Sequence, residues 1–342
     1  MRKGLKLASV VFLLPPLYLV FVLVTPWLAV QGIGIAAPWT TRLVFGQILA
    51  FPVLVGCAMG LLFLMWALLG WTSRFLSHDR RTVNVTPLLG ILVSAVCVVL
   101  AANPVSESQT GPSEGETLSV VSWNVHDELN LNDLRDLVVD DPEVVVLPEA
   151  STGPLETHLA QLGKGGQYQI FATETKAGVS PTTVMISKNM GRYQVRDGAE
   201  TTLGTLTVEP RDQNSRKPVI LGVHTASPVP NWMDLWDSDV GNVLDAVCSP
   251  RHERERPVIA AGDYNANPWH GHMASIPSRE GCSDALPSSG VSTGTWPSAA
   301  PAWARTQIDH IVVNGAVRVE DGKVMSLTGP SDHVPVTATL RY

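Results

Sequence analysis

Three runs without a charged residue fill the first third of the chain: Leu7 to Thr41, Leu43 to Ser73 and Val83 to Ala102. Each can cover the roughly 20 residues that a bilayer core demands. Pro15, Pro16 and Pro26 would break a soluble helix but are tolerated in membrane spans. A cleaved signal peptide is the rival account of the first run, which is too long for one and is followed by two more. The pattern therefore predicts a membrane domain over residues 1–103 with three transmembrane helices. Residues 104–117, rich in Ser, Glu, Gly and Pro, have almost nothing to bury and read as a flexible linker.

From residue 118 to 342 the pattern changes to short apolar runs alternating with helix-like spacing, over a length usual for one α/β domain. Leu118 to Trp123 reads as a strand ending at Asn124, and Val144 to Leu147 as a buried strand ending at Glu149. Thr182 to Ile186 is a further strand. Pro218 to Val223 runs into His224, and Pro257 to Ala261 into Gly262 and Asp263. Ile308 to Val313 carries Asp309, and Val334 to Leu340 follows Asp332 and His333. Leu131 to Val139 and Val240 to Val247 have helical spacing.

Charge refines the picture. Residues 1–103 hold seven Lys or Arg and one acidic residue; removing these from the 24 basic and 31 acidic residues of the chain leaves 17 against 30, a net charge of −13 over residues 104–342. A domain this acidic should repel polyanions, which weighs against a high-affinity nucleic-acid binder. Arg2, Lys3 and Lys6 precede the first run, and Arg74, Arg80 and Arg81 separate the second from the third, whereas the intervening loop has only Arg42. The positive-inside rule then puts the N-terminus in the cytoplasm and the domain after Ala102 outside the cell membrane. Trp27, Trp39, Trp66 and Trp71 fit an interfacial belt or packing between helices.

Asn124, Glu149, His224, Asp263, Asn265, Asp309, Asp332 and His333 all lie at or near the end of an apolar run, which suggests one convergent rim. Asp263 and Asn265, two apart, could grip a water between an acceptor and a donor; the plainer reading is an Asx-rich turn capping a strand. Oxygen donors such as Glu149 and the Asn124 amide suit Mg²⁺ or Mn²⁺ rather than Zn²⁺.

Six segments in this order resemble the endonuclease/exonuclease/phosphatase superfamily with its deoxyribonuclease-I-like fold. They are Ser122-Trp123-Asn124-Val125, Leu147-Pro148-Glu149, Val223-His224-Thr225, Gly262-Asp263-Tyr264-Asn265-Ala266, Ile308-Asp309-His310-Ile311 and Ser331-Asp332-His333. The resemblance implies an α/β fold, a four-layered αββα sandwich, and divalent-metal phosphoester hydrolysis. It implies Glu149 as the main metal ligand with Asn124 beside it. Asp263 and Asn265 would orient or deprotonate the water, and His224 and His333 would flank the phosphate. Asp309 would orient a histidine, and Asp332 would help hold metal or imidazole. The general base is left open. Pro148 stands where the family often has Gln, and Gln307, with Arg305 further back, where an Arg often precedes the Ile-Asp-His strand. Both departures touch substrate contacts. Tethering at a bilayer favours a lipid or envelope phosphoester over DNA or RNA; an extracellular nuclease and a catalytically decayed binding module are the alternatives.

Other residues carry weaker signals. His126 and Asp127 could line the rim or sit in a solvated loop. His270 and His272, in a Gly/Pro-rich loop, read as surface residues, as does the mixed-charge stretch Arg251 to Arg256. His310 alternates with Asp309 and should face away from the rim. Thr295 could touch phosphate or belong to a structural corner with Trp296. Trp232 and Trp236 share a helical face, for the core or for an aromatic lip. Cys57 and Cys97 read as inert apolar residues within spans. Cys248 and Cys282 could form a disulfide outside the cell.

Overall fold

A computed structural model of the chain describes residues 11–30, 38–77, 85–103, 111–174, 178–248, 256–279, 281–326 and 329–342. Arg2, Lys3, Lys6, Arg80, Arg81, residues 104–110 of the expected linker and most of the mixed-charge stretch (251–255) lie outside the described residues. The apolar third of the chain forms α1 (Leu14–Val30), α2 (Phe45–Ala50), α3 (Pro52–Ser77) and α4 (Thr86–Ala102). The second charge-free run splits at Phe51 because Pro52 lacks an N–H and disfavours helical backbone in the residue before it; Phe51 sits at φ −126°, ψ 63°. Small residues let α3 and α4 pack closely, with Gly90 against the Phe63 ring and Gly56 against Val98.

Of these, one helix among the described residues, over Pro52–Ser73, is long and apolar enough to cross a membrane. The other two apolar helices are shorter, 17 residues each, about 26 Å at 1.5 Å per residue. Of the three expected spans, this one helix meets the length, and the other two are not confirmed. The reason for α1 is visible in its packing: Leu19, Val22 and Leu23 bury against Trp269 of the following domain, and the helix runs along Met273–Ser278.

The remaining chain builds two six-stranded sheets. The first contains β1 (Thr117–Ser122), β2 (Val144–Leu147), β3 (Tyr168–Ala172), β4 (Thr183–Ser187), β11 (Arg318–Val324) and β12 (Val336–Arg341), in the order β11-β12-β1-β2-β4-β3. The second contains β5 (Tyr193–Arg196), β6 (Leu206–Pro210), β7 (Val219–His224), β8 (Val258–Asp263), β9 (Cys282–Asp284) and β10 (Asp309–Asn314), in the order β5-β6-β7-β8-β10-β9. Alternation decides which way each side chain points. Val120, Val144 and Val146 of the first sheet meet Ile220, Ile259 and Ile311 of the second in the central core. Val121, Val145 and Leu147 face outward under α5 (Leu131–Leu137) and α6 (Thr152–Gln161). Leu221, Val223 and Ala260 face outward under α7 (Met233–Val247). The result is an α/β two-sheet sandwich with helices on both outer faces.

The end of the expected linker is not free. Tyr342 N donates to Glu116 O at 3.0 Å and Arg341 Nη1 to Gly115 O at 3.2 Å, so residues 115–116 lie along the C-terminal strand. The disulfide allowed by the sequence is present: Cys248, closing α7, is bonded to Cys282 of β9, with Cα atoms 5.3 Å apart.

Candidate active site

The inward parity of the second sheet ends in polar residues. His224 continues Ile220 and Gly222, Asp263 continues Ile259 and Ala261, and Asp309 precedes Ile311 and Val313. β7 runs parallel to β8 with His224 opposite Asp263, and β10 runs antiparallel with Asp309 opposite Asp263. Three neighbouring strands thus deliver their last or first inward residue to one row, with Asp263 in the middle. Gly262 makes the turn into that row possible. Its φ is +149°, and a Cβ there would lie 2.0 Å from Val223 O.

The first sheet faces this row. Asn124 follows β1 on the inward parity of Leu118 and Val120. Glu149 would by alternation fall outward with Val145 and Leu147. Pro148 has ended the strand by then, and Glu149 takes a left-handed φ of 56°, a conformation that costs a non-glycine residue about 1–2 kcal/mol. Asn124 Nδ2 donates to Glu149 Oε1 and to Asp263 Oδ2, each at 3.0 Å, joining the two sheets. Asn265, at φ 48°, donates its backbone N–H to Asp263 Oδ1 at 2.8 Å and its amide to Thr225 O at 3.0 Å. The Asx turn and the convergent site are therefore the same feature.

Two histidines flank the carboxylates. His224 Nε2 is 3.6 Å from Glu149 Oε1 and 3.9 Å from Asp263 Oδ2. His333 Nε2 is 3.8 Å from Asp263 Oδ2, and its Nδ1 is 2.9 Å from Asp309 Oδ2. Their charges differ. Burial holds His224 below the ordinary imidazole range despite the nearby Asp263 and Glu149. Burial opposes charge on His333 too, but Asp309 and Asp263 overcome it and raise the group to about 10. Burial raises the Asp263 carboxyl.

The oxygens of Glu149 and Asp263 converge on a single amide nitrogen, an arrangement that a hard cation fits better than a soft one. The acidic and imidazole groups of Asp263, Asp309 and His333 also lie within 4.8 Å of one another. Because Asp309 already holds His333 by a direct hydrogen bond, that trio is better suited to a proton than to a metal. Asp332 stands apart from the Glu149 end: its side chain is half exposed, Oδ2 accepts from Trp296 Nε1 at 2.7 Å, and Oδ1 is 3.9 Å from His333 Nε2. Of the two expected roles, metal or imidazole, these contacts place it beside the imidazole.

His126 lines the rim, with Nδ1 3.4 Å from Glu149 Oε2, whereas Asp127 caps Ser151 N. Thr295 is fully buried and its hydroxyl accepts from the backbone of Ile308 and Asp309, so it fixes the start of β10. His310 faces away from the rim, as alternation predicts, and bonds Asp284 Oδ2 at 2.6 Å and Ala266 O at 2.8 Å. Two positioning residues carry no signal of their own in the sequence. Ser331 Oγ donates to Asn124 O at 2.6 Å and accepts from His333 N at 3.0 Å. Trp123 Nε1 donates to His333 O at 2.9 Å. Both lie inside matched segments, but only distance reveals that they tie the end of β1 to the loop before β12.

The fold and this row of side chains define a class, and the family model agrees. The endonuclease/exonuclease/phosphatase family matches residues 121–333, and the chain belongs to that family. Among solved structures, a humanized D. rerio TDP2 carrying 14 mutations is similar at 21% identity and a TM-score of 0.52, covering 66% of this chain and 99% of its own. A truncated Caenorhabditis elegans TDP2 is similar at 20% identity and a TM-score of 0.50, covering 66% and 98%. At these identities the likeness is one of fold. No curated protein matches.

Proposed function

We propose that the chain is a membrane-anchored, divalent-metal-dependent phosphoesterase whose catalytic domain faces the extracytoplasmic side and acts on lipid or envelope phosphoesters. The observation that carries this reading is the meeting of Glu149 and Asp263 at Asn124, with His224 on one side and Asp309-held His333 on the other. The ionic contacts to Glu149 and Asp263 come from histidines, so a phosphate entering this acidic rim needs a cation to offset repulsion. Mg²⁺, or Mn²⁺, held by Glu149 with Asn124 beside it, would neutralise and polarise the phosphate. Asp263, positioned by Asn265, orients the attacking water and accepts its proton. His333, kept protonated by Asp309, donates to a non-bridging oxygen as charge develops. His224, neutral through burial, hydrogen-bonds the opposite side of the phosphate.

The membrane side of the proposal rests on α3 and on the apolar side chains it exposes, among them Leu61, Leu62, Leu68 and Leu69, a surface that water would not tolerate at this extent. The Cys248–Cys282 disulfide supports an oxidising compartment. The start of α3 and the end of α4 both meet the catalytic domain, leaving Arg74 at the far end of α3, which agrees with the positive-inside orientation.

The test is a panel of lipid and nucleic phosphomonoesters and phosphodiesters assayed with Mg²⁺, Mn²⁺ or chelator. Lipid substrates should turn over only with metal, and Glu149→Gln or Asp263→Asn should each reduce kcat by about 10³-fold or more. Rapid cleavage of DNA with no lipid turned over would remove the substrate assignment. Full activity in either variant would remove the site.

A further inference from the structure

A cleft of about 290 Å³ opens where the helical segment meets the catalytic domain, and the hydrolytic site does not use it. One wall is apolar, made by Phe51 to Leu54 at the start of α3 and by Ala101 and Ala102 at the end of α4. The opposite wall is the stretch 302–307 leading into β10, and it is polar at its inner end. There, Arg305 is fixed by two backbone carbonyls, Nε to Ala300 O and Nη2 to Ser298 O, each at 2.8 Å. Gln307 is 94% buried, and its Nε2 has no hydrogen-bond partner among the described residues. A buried amide left unpaired costs about 1–3 kcal/mol, so this cleft wall is short of one acceptor.

Trp296 links the cleft to the hydrolytic rim. The Trp296 ring lies 5.9 Å from that of Phe51, and its Nε1 donates to Asp332, the neighbour of His333. At the outer lip Trp303 is 63% exposed, as suits an aromatic residue at a bilayer interface. A site whose apolar wall is continuous with a membrane-crossing helix, and whose polar wall leads to Asp309, matches an amphiphile drawn partly out of the bilayer.

We propose that this cleft seats the glycerol-proximal part of a membrane lipid phosphoester, its ester oxygens toward Arg305 and Gln307 and its phosphate at the rim beyond Trp296. The proposal deepens the phosphoesterase reading and rests on it for the phosphate end. The volume is at the lower limit of small-molecule sites, about 300 Å³, so only the interfacial part of the lipid is held and the chain ends stay in the bilayer. A soluble nucleic acid gains nothing from such a cleft.

The experiment uses the full chain in phosphatidylcholine nanodiscs containing a phosphatidic acid with a diazirine on an acyl carbon next to the ester. Photolabel should map to peptides containing residues 51–54 and 302–307. Ala102→Trp, which fills the cleft from an exposed helix position, should cut label at 302–307 about tenfold. It should cut kcat/KM for the long-chain lipid by a similar factor while leaving the dibutyryl counterpart within about twofold. Gln307→Leu should reduce labelling at 302–307 as well. Label confined to the outward face of α3, or equal losses on both substrates, overturns the proposal. Labelling at 302–307 in a chain that hydrolyses neither lipid, nor any member of the mono- and diester panel, supports the cleft and sinks the hydrolase. Hydrolysis of the dibutyryl compound with no label at 302–307 sinks the cleft and leaves the hydrolase standing.

Discussion

At the scale of single residues, His333, to which the proposed mechanism gives the protonated role, depends on its neighbour. Asp309 is fully buried and spends one carboxylate oxygen on His333 Nδ1. With Asp263 it holds the ring protonated against the pull of burial, at about 10. Asp309→Asn removes the charge and keeps the shape. The His333 pKa should then fall, and kcat should drop by about 10²-fold or more with little change in KM. Histidine NMR titration and a pH–rate profile check this, and a His333 pKa unmoved by the substitution would refute it. Gly262 is the other residue with no substitute. Gly262→Ala puts a Cβ against Val223 O at a φ that alanine resists, so a loss of about 3 kcal/mol or more is expected as a lowered Tm. The sequence made most of the rim legible because alternation and strand ends are local properties. It did not make Ser331 or Trp123 legible as positioning groups, since their partners lie about 200 positions away. It left His270 among surface residues because a Gly/Pro-rich loop gives no sign that another domain covers it.

At the scale of elements, the strands found in the sequence run mostly through the interior, apart from β12, which alternates buried and open positions. β1, β2, β4, β7, β8 and β10 read as continuous apolar runs because a helix lies over one face and a sheet over the other. β11 was hidden by its composition: Arg318-Val319-Glu320-Asp321-Gly322-Lys323-Val324 is an edge strand with a bulge between Val319 and Asp321, and charge at an edge protects it from pairing with another chain. β5 and β9 are equally short or peripheral. The disulfide acts at this scale also. It joins α7 to β9 across 34 positions, and between them lie β8, which ends at Asp263, and the loop that carries Asn265. Replacing Cys248 and Cys282 together by Ser should lower stability by about 2–4 kcal/mol through loop-closure entropy. Hydrogen exchange should quicken first in residues 264–279. Unchanged protection there would mean that α7 and β9 are held by packing alone.

At the scale of the whole molecule, the helical segment and the catalytic domain are joined by polar contacts that the apolar pattern could not foretell. Asn267 Nδ2 donates to Leu49 O at 2.7 Å, Gly271 N to Thr40 Oγ1 at 2.9 Å, and Gln47 Nε2 to Pro228 O at 2.6 Å. His270 is a buried titratable member of this seam, where the exposed Arg42–Asp234 pair also crosses. Its Nδ1 accepts from Asn267 N at 2.9 Å and its Nε2 is 2.9 Å from Gly46 O, with the ring edge-on to Trp236 at 5.0 Å. Since Nδ1 is an acceptor, the docked ring is neutral and Nε2 carries the proton. Burial lowers its pKa from 6.5 to about 4; the Gly46 carbonyl partly counters this and His310 adds to it. A group depressed in the folded state stabilises fully above its unfolded value and loses that contribution as pH falls. The seam should therefore hold at pH 7 and weaken between pH 6.5 and about 4, by about 1.4 kcal/mol for each pH unit. In nanodiscs, the amide protection factors of Asn267 and Gly271, taken relative to intrinsic exchange at each pH, should fall across that window before those of the core strands. His270→Gln, which does not titrate, should flatten the response; the same fall in wild type and variant would place the acid sensitivity elsewhere.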